Sequence, residues 1–266
     1  MKINYRETTN DLQTRIDIHN QFGGRNIDEW MLDVLKLQKG IRILDVGCGA
    51  GKQLLSFYNY LEGDAKILGG DVNTELLEQA RQEIAKRNAS IQVMELNFNQ
   101  PFPLDENQFD LVSCCFAIYY AEDIPFTIHQ MHRVIRPGGR LFTTGPMPQN
   151  KQLFYDIIRE ATGKEIPPMP GSSRYSTGIL SAVQETFSSV ELHIFENPLT
   201  FTSVDPFVNY TRASLSEDRK LWSSFFQNKD DFEKIMTRIS EVATQRMQVE
   251  GKLVMTKVVG GILATK

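Results

Sequence analysis

The chain has 266 residues, 41% of them hydrophobic and 23% charged, which is ordinary globular composition and enough to bury one large core or a core with an appended subdomain. A formal net charge of −4 at pH 7 argues against nucleic acid or an anionic membrane as a partner, because both need a basic footprint. The polar opening MKINYRETTNDLQTR lacks an apolar signal core, no run of about 18 apolar residues occurs, and Cys48, Cys114 and Cys115 suit neither a disulfide framework nor a zinc site, so a cytoplasmic protein without a metal is expected.

Helical spacing of Leu12, Ile16, Trp30, Met31, Val34 and Leu35, broken by Gly23-Gly24, predicts two N-terminal helices within residues 11–37. The apolar run Ile41 to Val46 then ends in glycines, as a strand buried on both faces would. Strands are expected next at Ile67–Val72, Ile91–Leu96, Phe109–Cys115 and Arg140–Thr144. Helices are expected at Thr74–Arg87 and at Ile124–Ile135, the latter stopping at Pro137-Gly138-Gly139. This alternation specifies a parallel sheet with helices on both sides. Beyond it, the pattern predicts a helix over Gln152–Ala161, a loop over GKEIPPMPGSSRYS, and final strands at Val190–Phe195 and Leu253–Thr265 around a helical segment from Asp205 to Met247.

The chemistry concentrates in Ile43-Leu44-Asp45-Val46-Gly47-Cys48-Gly49-Ala50-Gly51, an acid and three alternate glycines at the end of the first strand. Glycines there let the backbone turn and approach a ligand at the carboxyl edge of the sheet, although a tight strand-to-helix turn would also explain them. Asp71 closes the second strand, where a carboxylate can accept hydrogen bonds from both ribose hydroxyls; its alternative role is to cap the helix near Thr74. Together the two features imply an adenosine-containing cofactor. The spacing G-x-G-x-G, preceded by Asp45, departs from the G-x-G-x-x-G of dinucleotide folds, and an acid near the turn repels phosphate while suiting a cationic ammonium and sulfonium. A nicotinamide-dependent oxidoreductase is therefore a remote reading.

Four blocks, ILDVGCGAGKQLL, GGDVNTELLEQAR, NFNQPFPLDENQFDLVSCCFAIYYAED and HRVIRPGGRLFTTGP, stand in the order and spacing of class I S-adenosylmethionine-dependent methyltransferases, which the chain resembles over about residues 30–145. The resemblance implies a doubly wound, mostly parallel, Rossmann-like sheet of seven strands whose last strand runs antiparallel, with a lid inserted between strands five and six. It implies S-adenosylmethionine as cofactor. On that likeness Gly47, Gly49 and Gly51 line the methionine part, Asp71 the ribose, and Val72 and Phe98 the adenine, while the carbonyl of Cys115 holds the cofactor's amino group. Asn97 stands where the family usually has an acid, and its side-chain oxygen can still accept from the adenine amino group.

Catalytic residues are less legible, because a sulfonium donor is already activated and needs only a positioned acceptor and somewhere for a proton to go. Tyr119 and Tyr120 follow strand four and are candidates for the acceptor pocket, or else an aromatic cover for the sheet edge. His19, with Tyr5 and Arg15, lies in the N-terminal segment that folds over the cofactor in related enzymes, where it serves as a base or lid contact, or merely as helix surface. Arg174, Tyr175 and the loop at 167–171 are candidates for selecting the acceptor. The adjacent cysteines also permit a soft-metalloid reading, which their apolar strand opposes.

The expected organisation is one domain: cap helices over 1–37, a cofactor core over 38–145, a substrate-covering insertion and strand six over 146–205, and a helical segment with the last strand over 206–266. The expected activity is methylation of an O, N or C atom of a small-molecule metabolite or natural product. A non-catalytic cofactor-binding subunit and a macromolecular acceptor are the alternatives.

Overall fold

The apolar runs that end in glycine become the central strands of one sheet. In the computed structural model, which describes residues 9–166, 169–215, 222, 225–226 and 228–266, seven strands stand in the order β3-β2-β1-β4-β5-β7-β6. They are β1 (Ile41–Val46), β2 (Ala65–Asp71), β3 (Ile91–Glu95), β4 (Phe109–Cys115), β5 (Ile135–Pro146), β6 (Ser189–Phe201) and β7 (Leu253–Thr265). The first five run parallel and β7 pairs antiparallel with both β5 and β6, as the resemblance implied. The strand order reverses between the parallel neighbours β1 and β4, which opens a crevice at their carboxyl ends.

Helices α1 (Thr9–Phe22) and α2 (Ile27–Leu35) flank the expected turn, and Asn26 caps α2 by accepting from the amides of Asp28 and Glu29. Helices α2, α3 (Lys52–Tyr60) and α4 (Thr74–Lys86) cover one face through Met31, Leu35, Leu54, Phe57 and Leu77. On the other face lies α5 (Ile124–Val134), which buries Ile128, Met131 and Val134.

Two boundaries differ most from the sequence expectation, by five and six residues, for one reason: pairing continues through residues that read as breakers. Strand β5 begins at Ile135 rather than Arg140, because Ile135 pairs with Phe109 and the Pro137-Gly138-Gly139 segment is held by reciprocal bonds between Gly138, Gly139 and Lys266. Strand β6 runs on past Phe195 through Pro198 to Phe201, a proline being tolerated on an edge strand.

The segment read as a loop at GKEIPPMPGSSRYS is helical in its second half. After α6 (Gln152–Thr162), α7 (Pro170–Ser173) passes through a π-helical turn (Arg174–Ile179) into α8 (Leu180–Thr186), which packs beside α5. Residues 167–168 of the proline loop lie outside the described residues, as does Tyr5. Helix α9 (Val204–Leu215) and helix α10 (Lys229–Glu250) follow β6. With α1 and α6 they build a separate apolar cluster around Phe154, Phe207, Tyr210 and Ile239 against the far halves of β6 and β7. The helical cap therefore draws on segments on both sides of β6 as well as on the N-terminal helix. Among the described residues no helix is long and apolar enough to cross a membrane.

Candidate cofactor and acceptor site

At the carboxyl end of β1 the chain turns back on itself, with the amides of Gly47 and Cys48 both donating to the Gly70 carbonyl at 2.7 and 3.1 Å. Gly47 has φ +74°, and a β-carbon there would stand 2.6 Å from the Ala117 side chain, so glycine is required by both conformation and space. Gly49 also has a positive φ, +54°, yet a β-carbon there would meet nothing within 4 Å. The turn thus presents bare backbone to open space.

Asp71 braces this turn. One carboxylate oxygen accepts from the Gly49 amide and the other from the Asn73 amide, both at 2.8 Å. A carboxylate has about four acceptor sites, so two remain for a pair of hydroxyls. The capping alternative falls to Asn73 instead, whose side chain accepts from Glu75 and Leu76 at the start of α4. Val72, 57% exposed, follows Asp71 at the rim.

Asp45 lies beneath the turn rather than on it, being 2% exposed and receiving a 2.6 Å hydrogen bond from Ser113. Burial, reinforced by the charge on Asp71 and opposed by the Ser113 bond, pushes its carboxyl up to about 7. An unfolded aspartate ionises near about 3.9, so the folded chain holds this proton to higher pH and Asp45 destabilises the fold increasingly as pH rises from there through about 7. Asp45→Asn is accordingly expected to raise stability more at pH 8 than at pH 5, by about 2 kcal/mol in urea unfolding. An equal change at both pH values would refute the buried-proton account.

The remaining candidates gather on the same edge. Asn97 turns its side-chain oxygen to the Asn99 amide at 3.0 Å, and Phe98 packs partly buried beside Gly47. Cys115 ends β4, and the next residue, Phe116, takes a left-handed φ of +57° while remaining 38% exposed, an unusual conformation for a bulky side chain. Nothing in the sequence pattern singles out Phe116. Burial pushes the thiols of Cys114 and Cys115 well up, so both stay protonated at neutral pH, which opposes soft-metalloid binding.

Tyr119 and Tyr120 form a short 3₁₀ turn (Ile118–Tyr120) with ring centroids 4.7 Å apart. Gly171 at the start of α7 lies against the Tyr119 ring, and the Arg174 guanidinium donates to the Ala121 carbonyl. The segment after β5 therefore rests on the segment after β4. Tyr175 is fully buried, its hydroxyl donating to the Thr143 carbonyl and accepting from the Ile262 amide. It anchors this segment instead of facing an acceptor.

His19 stands apart from the glycine turn. Its ring stacks on Tyr210 at 5.6 Å, and Nε2 lies 3.5 Å from the Tyr210 hydroxyl. Burial, then Lys257, Lys151 and Arg15, pull its pKa down to about 2, far below the range of an effective general base. Lys151, to which the sequence pattern assigned no role, is buried beside it.

Residues 43–139 match the family described as methyltransferase domain. This chain carries a methyltransferase domain. Its fold is that of the class I S-adenosylmethionine-dependent methyltransferases. Among sequence relatives, a demethylmenaquinone methyltransferase from Geobacillus sp. strain WCH70 is 29% identical over 140 residues, covering 49% of this chain and 59% of that protein. The chain thus spans little more than half the length of that relative. Among solved structures, the YcgJ protein from Bacillus subtilis superposes with a TM-score of 0.58 at 14% identity, over 90% of this chain and 97% of the other. A SAM-dependent methyltransferase from Aquifex aeolicus gives 0.50 at 19% identity, over 67% and 89%. The methyltransferase domain contains the glycine turn, Asp71, the β4 end and both tyrosines, whereas α1, Lys151 and the C-terminal cap lie outside it.

Proposed function

We propose that this chain transfers a methyl group from S-adenosylmethionine to an oxygen, nitrogen or carbon atom of a small-molecule acceptor. The observation that carries the reading is the carboxylate-braced glycine turn, open above Gly49, at the point where the strand order reverses between the parallel neighbours β1 and β4. Gly47, Gly49 and Gly51 line the methionine part, Asp71 accepts from the ribose hydroxyls, Val72 and Phe98 flank the adenine, and Asn97 accepts from its amino group. The Cys115 carbonyl holds the amino group of the methionine part, and Asp45 supports the turn from below. When bound, the cofactor supplies an activated methyl on a sulfonium, so the chain's own task is to align an acceptor with it and exclude water. Tyr119 and Tyr120, at the β4 end beside α7, line the acceptor pocket and orient the acceptor. The helical cap built by α1, α6, α9 and α10 covers it, and the reaction takes place in the cytoplasm without a metal.

Calorimetric titration with S-adenosylmethionine and S-adenosylhomocysteine tests the reading, with NAD as control. Saturable binding of both sulfur compounds is expected. Asp71→Ala is expected to weaken it about 10- to 100-fold, since hydrogen bonds to a charged acceptor contribute about 1.5–3 kcal/mol. Binding of NAD alone would overturn the assignment.

A further inference from the structure

The sheet ends on β3 and β6, and its two edges are protected differently. Strand β3 has five residues, a shortness that itself blunts an edge, whereas β6 has thirteen, all paired with β7 in one register without a shift. The second half of β6 is covered on its open side: Gly23 bridges Leu199, and the Arg25 guanidinium donates to the Glu196 carbonyl at 2.8 Å. Along the first half, Ser189 to Phe195, no strand pairs among the described residues. That stretch holds no lysine, arginine or proline, the residues that commonly discourage pairing at an edge. Leu192 and Ile194, on one face of it, are nevertheless 41% and 44% exposed.

The direction of the backbone groups at this edge follows from β7. Opposite Glu196 stands Val258, whose amide donates to the Asn150 side chain at 3.0 Å and whose carbonyl accepts from the Met147 amide at 3.1 Å, both partners belonging to the turn after β5. Glu196 therefore turns its own carbonyl away from β7, to where Arg25 reaches it. Residues two apart along a strand point the same way, so the N–H and C=O groups of Val190, Leu192 and Ile194 also face the open edge. An apolar row and a row of backbone donors and acceptors thus run together.

We propose that this edge pairs with the β6 edge of a second copy of the chain, antiparallel about a two-fold axis at Leu192. That register sets Leu192 opposite the partner's Leu192 and Val190 opposite the partner's Ile194, each pair exchanging both backbone hydrogen bonds. On the other face it sets Glu191 opposite the partner's His193, twice by symmetry, in pairs whose Cα atoms stand about 4.5 Å apart, so that carboxylate meets imidazole. The neighbouring registers lack this complementarity. A two-fold at His193 faces imidazole with imidazole and Glu191 with Phe195, while one at Ile194 drives the partner's Leu192 against Glu196, whose carbonyl Arg25 already holds. With the axis at Leu192 the partner's strand begins at Ser189, opposite Phe195, and so stops one residue short of that contact. The pairing withdraws Leu192 and Ile194 of both copies from water.

Sedimentation velocity of the full chain over a range of concentrations tests the pairing. A monomer–dimer equilibrium with a dissociation constant on the order of 10 μM is expected, as suits an interface at the small end of the specific range. Leu192→Lys sets two ammonium groups opposite each other at the axis and is expected to weaken the dimer about 100-fold, with the urea unfolding midpoint of the dilute monomer unchanged. Glu191→Lys, at an exposed position, is expected to weaken it about tenfold, and Glu191→Lys combined with His193→Glu to restore it, because opposite charges again face each other. The single and double variants decide the register even if Leu192→Lys fails to fold. The mass of one chain at every concentration overturns the proposal, which would leave the edge to an extended segment of some other protein. A dimer that folded Leu192→Lys forms as tightly as the natural chain, or a double variant no tighter than Glu191→Lys alone, overturns it equally.

Discussion

Tyr175→Ala is expected to cost about 3–5 kcal/mol of unfolding free energy. The side chain is fully buried in the cluster that joins α5, α8 and β7. Its ring fills space that two glycines leave free: a β-carbon at Gly145 would lie 2.4 Å from it, and one at Gly260 3.0 Å. The hydroxyl meets three groups, the Thr143 carbonyl at 2.8 Å, the Thr143 hydroxyl at 3.1 Å and the Ile262 amide at 3.2 Å. Alanine removes both the filled volume and the bonds, and no neighbour of a rigid sheet can collapse into the gap. Tyr175→Phe keeps the ring but strips an acceptor from the Ile262 amide, for which about 1–3 kcal/mol is expected. Urea unfolding of the two variants separates the contributions. A Tyr175→Ala loss under about 1 kcal/mol would show that the π-helical segment is not anchored through this residue.

The same residue shows where sequence reasoning stops. Tyr175 was legible only as a polar aromatic in a stretch rich in proline, glycine and serine, a composition that normally marks a loop. Its burial depends on Gly145 and Gly260, 30 and 85 positions away, opposing each other across β5 and β7. No local pattern encodes that. The parallel core, in contrast, was readable almost residue by residue, because strands buried on both faces appear as continuous apolar runs and the glycines after β1 punctuate the first of them. Strand β6 continues past the expected end at Phe195 because an edge strand tolerates Glu196-Asn197-Pro198.

The candidate site divides in the same way. Gly47, Gly49, Gly51 and Asp71 announce themselves by spacing, and the fold brings them together on one edge. Ser113, which donates to Asp45, was silent, since a serine inside an apolar strand carries no sign of its partner 68 residues away. Lys151 was equally silent. Its neighbour Tyr210 comes from a later segment, and only the closing of α9 over the turn after β5 brings the two together.

Two glycines of the turn are expected to fail in different ways, and the contrast tests the cofactor site more sharply than either loss alone. Gly47→Val places a branched side chain at φ +74° with its β-carbon 2.6 Å from Ala117. The left-handed conformation costs about 1–2 kcal/mol and the overlap about 1–3 kcal/mol more, so both stability and S-adenosylhomocysteine affinity are expected to fall, the latter several hundredfold. Gly49→Ala meets no protein atom within 4 Å, and its φ of +54° lies in the region that other residues visit at modest cost. Its stability is expected to fall by only about 1 kcal/mol. Its methyl group, however, points into the space above the turn, where the proposed cofactor would lie against bare backbone beside Asp71. Affinity is therefore expected to fall about 100-fold with the fold intact, as overpacking of about 1–3 kcal/mol in a close contact requires. Unfolding and calorimetry on the same two variants give the answer: if Gly49→Ala binds S-adenosylhomocysteine as tightly as the natural chain does, the open face of the turn is not where the cofactor sits.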